Sequence, residues 1–129
     1  MKIWLLNLFV MPIGLLLVSG LLFAHHGTSP YDSTKLTTVT GTVTEFQFIN
    51  PHVEIYIESK NDKGKLEKWA GEANSPNVLS RNGWNRTIIS SGDTITLIGN
   101  RAKNGSNSLR LQKVVLANGR ELDPNATNN

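Results

Sequence analysis

The chain has no cysteine. That excludes disulfide bonds, thiol catalysis and the acyl anchor of a lipoprotein, and leaves stability to an apolar core alone. Charge of one sign is also scarce. Thirteen Lys and Arg stand against 10 Asp and Glu, a net charge of +3 over 129 residues, which is too weak an excess to favour nucleic acid. Lys60, Lys63, Lys65 and Lys68 do lie close together, but Asp62 and Glu67 are interleaved with them, as on the solvated face of a hairpin. The familiar motifs of catalysis are missing too. There is no Gly-rich phosphate loop, no HExxH or CxxC, and no serine, histidine and acid around a strained turn. These absences point away from an enzyme. One of unnamed chemistry stays open as an alternative, because a fold does not fix a function.

What is present begins with MKIWLLNLFVMPIGLLLVSGLLFA, one positive charge followed by an apolar run broken by Pro12 and Gly14. Residues 1–24 read as a secretory signal cut after the small residue Ala24, which places the product in the periplasm or outside the cell. The alternative is retention in the inner membrane through residues 4–24, a run long enough to span a bilayer.

Residues 25–36 then form an N-terminal loop, and residues 37–122 carry the pattern of one β domain. TTVTGTVTEFQF is dense in β-branched and aromatic residues, and its apolar phase slips by one at Glu45, as a β-bulge would make it do. HVEIYIES alternates, with Val53, Ile55 and Ile57 on the inner face and His52, Glu54, Tyr56 and Glu58 on the outer. NDKGK turns the chain at Gly64 into LEKWAGEA, the third strand. Ser75 is placed to cap, Pro76 suits a first helical position and Gly83 suits a left-handed exit, so a short helix follows. TITLIGNR and SLRLQKVVLANG make a second hairpin across KNGSN. The tail at 123–129 is polar and reads as disordered.

The order strand, strand, strand, helix, strand, strand, with a long bent first strand, is that of an all-β fold with one short helix. The expected architecture is a small five-stranded Greek-key barrel of the OB type. Trp69 and Trp84 are the side chains best sized to wedge the helix onto such a barrel.

Taken together, AHH, GTVTEF, NPHVEI, WAGEANSPN, NGW, SGDTITLIG and VVLANGREL resemble a family of small exported bacterial proteins catalogued as domain of unknown function 6152. The resemblance runs from His25 to about Leu122. It implies an exported, β-rich, single-domain protein of Gram-negative envelopes and carries no established activity or catalytic residue.

The chain has only three histidines, and their placement is the main clue to chemistry. If the signal is cut after Ala24, His25 is the first residue. Its α-amine and imidazole, with pKa values of about 8 and about 6.5, can then both be deprotonated and bind one ion. Nitrogen donors suit Cu(II), with Zn(II) next. His26 and His52 complete the candidate set, and a fold-back of the loop onto His52 would make a T-shaped three-nitrogen site. The simpler reading is that new termini fray and that His52 is a polar residue at a strand start. A second candidate surface comprises Tyr56, Trp69, Glu72 and Asn74. Tyr56 and Trp69 offer stacking faces, Asn74 suits a turn, and Glu72 is placed to favour the helix dipole.

Two functions follow from this reading. The first is an exported envelope binding module that holds a transition metal and acts in metal handling or beside an exported oxidoreductase or another envelope protein. The second is a metal-free module that binds a protein or an oligosaccharide on the open face of the barrel.

Overall fold

The computed structural model describes residues 29–125. Among them no helix is long and apolar enough to cross a membrane. The leader, the cut after Ala24, His25 and His26 lie outside the described residues.

Threonine and valine dominate β1 (Tyr31–Gln47), residues whose branched side chains pack well on a pleated surface. Val39 and Val43 face the core. Opposite β2 (Glu54–Lys60), Val43 pairs with Ile57 and Glu45 with Tyr56, so Thr44 has no partner. The expected bulge is there. Beyond it the inward positions are Phe46 and Phe48, whose rings lie 5.9 Å apart.

The β2 hairpin closes through Asn61, whose Oδ1 accepts from the Lys63 and Lys65 amides. It leads into β3 (Leu66–Glu72). Helix α1 (Pro76–Arg81) follows with Pro76 opening it and Gly83 at φ 81° just past it. Ser75 occupies the cap position but makes no side-chain cap bond. Instead its own amide donates to Asn74 Oδ1 at 2.7 Å. The second hairpin joins β4 (Thr94–Ala102) to β5 (Ser108–Val115).

The sheet runs β3-β2-β1-β4-β5-β6, and an additional pairing of β3 with β5 joins five strands into a closed ring. All pairings are antiparallel except β3 with β5. Val53, Ile55, Leu97, Leu109 and Leu111 are wholly buried within it, inward positions of the strand alternation, and Leu79 of α1 is buried with them.

Three expectations need correction. The loop at 25–36 is shorter than expected, because β1 begins at Tyr31. Tyr31 pairs with Ala102 and Leu36 with Asn100, and the intervening residues arch outward while Asn100 Nδ2 donates to the carbonyls of Asp32 and Lys35. The tail is ordered further than expected. Glu121–Leu122, the end of the expected domain, forms a sixth strand, β6, against β5, and within the tail Pro124 is buried. Trp84 Nε1 donates to the Asp123 carbonyl at 3.2 Å, and Asn125 Nδ2 donates to that of Leu111 at 2.7 Å. Trp84 therefore fastens the segment that follows β6. Trp69 lies instead in β3 under the guanidinium of Arg101, 4.9 Å from its ring centroid.

Candidate functional site

Val53 and Ala73 are fully buried partners. The Ala73 amide donates to the Val53 carbonyl at 2.8 Å, and the Val53 amide donates to the Asn74 carbonyl at 3.0 Å. With residues 53 and 73 facing inward, strand alternation turns residues 52 and 72 outward, on one face and within reach of each other. His52 Nδ1 stands 3.1 Å from Glu72 Oε1.

The ring closure supplies the next member. Glu72 is the parallel partner of Arg110, and Arg110, between the buried Leu109 and Leu111, also faces out. Its Nη1 donates to Glu72 Oε1 at 2.8 Å and to the Ala73 carbonyl at 3.2 Å. The last member comes from the first residue of β1, where the Tyr31 hydroxyl donates to Glu72 Oε2 at 3.1 Å.

One carboxylate thus gathers four elements of the chain. Glu72 and Arg110 are half-buried, and His52 is 47% exposed. Burial pushes the Tyr31 phenol above its ordinary value. The adjacent Glu72 charge adds to this, against the opposing pull of a Ser108 hydrogen bond and of Arg110. Tyr31 therefore remains a neutral donor. Among the described residues His52 Nε2 has no hydrogen-bond partner. An imidazole with Nδ1 against a carboxylate and Nε2 open has the orientation of a metal-ligating histidine. Among the described residues no group of three or more His, Cys, Asp or Glu is arranged to hold a metal. Further ligands would have to come from outside them, where His25 and His26 lie.

The other surface residues separate. Tyr56 and Trp69 line one open groove of about 450 Å³, together with Thr44, Lys68 and Asn107. The Tyr56 hydroxyl donates to the Glu54 carboxylate, which pushes its pKa up to about 12. Trp69 is only 8% exposed and is covered by Arg101, so little of its ring is free to stack. Glu72 belongs to the histidine cluster and not to the groove, and its carboxylate is committed there rather than to the helix dipole. Asn74 serves the turn into α1 and donates its amide to the Pro124 carbonyl at 3.1 Å.

Sequence reasoning missed Tyr31 and Arg110. Arg110 was legible as an outward position of β5, but its pairing with Glu72 depends on a closure between strands far apart in the chain, which no local pattern encodes.

The model of a family described as a family of unknown function (DUF6152) matches residues 14–110. It starts inside the apolar run that precedes His25 and stops at the arginine of the cluster. No curated protein matches the chain.

Proposed function

The chain belongs to the DUF6152 family, of unknown function. With no activity inherited from it, we propose an exported envelope protein that binds one transition-metal ion through its mature amino terminus. His25 gives its α-amine and imidazole, His52 gives the third nitrogen, and His26 lies beside them. Copper is the preferred ion and zinc the second. The protein acts in metal handling or beside an exported oxidoreductase or other envelope partner, in the periplasm or outside the cell. As part of the same proposal, the closed ring is a Greek-key barrel of the OB type. The strand order, the helix between β3 and β4 and the long bent β1 shared by both halves support that reading.

The observation that carries the metal proposal is that Tyr31 and His52 grip the two oxygens of one carboxylate. Tyr31 opens the strand that follows the histidine pair directly. From His25 to Tyr31 the chain covers six steps, a reach of about 20 Å at roughly 3.3 Å per residue. The first strand is therefore anchored to the same carboxylate that His52 faces, and on this proposal the preceding residues bring the terminal nitrogens to Nε2.

Protein beginning at His25 takes up one equivalent of Cu(II) with a visible d–d absorption, and one extra residue ahead of His25 abolishes tight binding. Equal binding by both forms overturns the proposal.

A metal-free interaction module is the second reading, and the groove at Tyr56 and Trp69 favours it. It requires a protein or oligosaccharide ligand whose capture survives both chelator and His52→Ala.

A further inference from the structure

We infer that Glu72 is a positioning residue for the metal and not one of its ligands, and that it selects Nε2 of His52 as the coordinating atom. This inference rests on the metal-binding reading and names how the site is built. Both carboxylate oxygens of Glu72 are already engaged, Oε1 by Arg110 and His52 and Oε2 by Tyr31. A carboxylate bound from three sides by a guanidinium, an imidazole and a phenol has little freedom to swing toward an ion. What it does instead is accept the Nδ1 hydrogen. A neutral imidazole carries one hydrogen, and a carboxylate facing Nδ1 holds it there, which leaves the lone pair on Nε2. Held in that form, the ring presents one donor atom in one direction.

Arg110 and Tyr31 act on the metal through Glu72. Arg110 fixes one oxygen against the seam between β3 and β5, since the same Nη1 also donates to the Ala73 carbonyl. Tyr31 fixes the other oxygen to the start of β1. The same set of bonds that orients His52 therefore also fixes the point from which the amino-terminal segment departs. The ligand expected is a borderline divalent ion that accepts imidazole nitrogen, Cu(II) or Zn(II).

The test uses metal-free and Zn(II)-loaded protein beginning at His25, labelled with ¹⁵N, at a mildly alkaline pH where imidazole is neutral. In the metal-free wild type, long-range ¹H–¹⁵N correlations place the His52 hydrogen on Nδ1. On loading, the Nε2 resonance shifts as a coordinated nitrogen does. Glu72→Gln loses the preference for Nδ1–H while keeping all three histidines, and it binds Cu(II) about 10-fold to 100-fold more weakly than wild type, the usual effect of removing such a partner. A wild-type His52 with its hydrogen on Nε2, or a folded Glu72→Gln protein that binds Cu(II) as tightly as wild type, overturns the inference. The wild-type tautomer needs no variant, so an unfolded Glu72→Gln protein does not remove the test. A wild type with its hydrogen on Nδ1 that binds neither ion overturns the metal reading instead, which keeps the two failures apart.

Discussion

Tyr56 donates its phenolic hydrogen to the Glu54 carboxylate, and the bond holds the proton on the ring until the pH reaches about 12. The folded-state value lies above the ordinary 10.0. The bond therefore adds stability at every pH below that value, and the contribution drains away as pH climbs through about 12. The chain has two tyrosines, so phenolate absorbance resolves them. Tyr56→Phe removes the transition near 12 and leaves that of Tyr31, which is also displaced upward, by burial. Between pH 10.0 and about 12 the variant loses stability less steeply than wild type in urea melts. His52, Glu54 and Tyr56 were visible as outward positions from strand alternation, whereas Glu72 was read only as a partner for the helix dipole. Which of them touch each other was not, because Glu54 satisfies Tyr56 within its own strand whereas Glu72 turns to residues 20, 38 and 41 positions away.

At the scale of the elements, alternation and turn chemistry were readable to the residue. The slip at Glu45, the hairpin at Asn61–Lys65 and the left-handed glycine after α1 all stand in the structure. The start of β1 was not readable, since SPYDSTK has the composition of a loop and is held in the sheet by the side chain of Asn100. Nor was β6 readable, because two residues are too few to show alternation, and Leu122 becomes a core residue only through Val114 opposite it.

Two glycines separate the forces that keep strands and turns in place. At Gly99 a β-carbon would come within 2.4 Å of the Arg110 carbonyl oxygen, so Gly99→Ala forces β5 away from β4. It costs about 1–3 kcal/mol in urea denaturation, and it shifts Arg110 relative to Glu72, lowering Cu(II) affinity as well. At Gly105 nothing lies within 4 Å, but φ is 81°. Gly105→Ala therefore costs about 1–2 kcal/mol from backbone conformation alone and leaves metal affinity unchanged.

For the molecule as a whole, the apolar positions read from the sequence give the core, and its closure comes from two joins: the β3–β5 seam, which a five-stranded barrel implied without naming its residues, and the clasp at Glu121–Asn125, which the sequence did not announce. The clasp buries Leu122 and carries hydrogen bonds from Trp84, Asn74 and Asn125. Burial of Leu122 is worth about 2 kcal/mol and each bond about 1 kcal/mol, together a large part of the 5–15 kcal/mol of about this size of domain. A chain ending at Gly119 accordingly loses its cooperative thermal transition, read by near-ultraviolet circular dichroism, while Leu122→Ala keeps the transition at a lower temperature. Intact mass of the product recovered from envelopes shows His25 as the first residue on our proposal. A mass that retains residues 1–24 would leave the terminal amine nitrogen absent and the metal site with it.

The seam ties residues 70–72 to residues 108–110, and the clasp uses the final described residues. A polypeptide delivered amino terminus first can pair β1 with β2 and β2 with β3 early, but it cannot form the seam until residues 108–110 have emerged. Up to that moment β1 and the β2–β3 hairpin have no fifth strand to lock against, and the late, long-range closure makes assembly slow compared with a helical bundle.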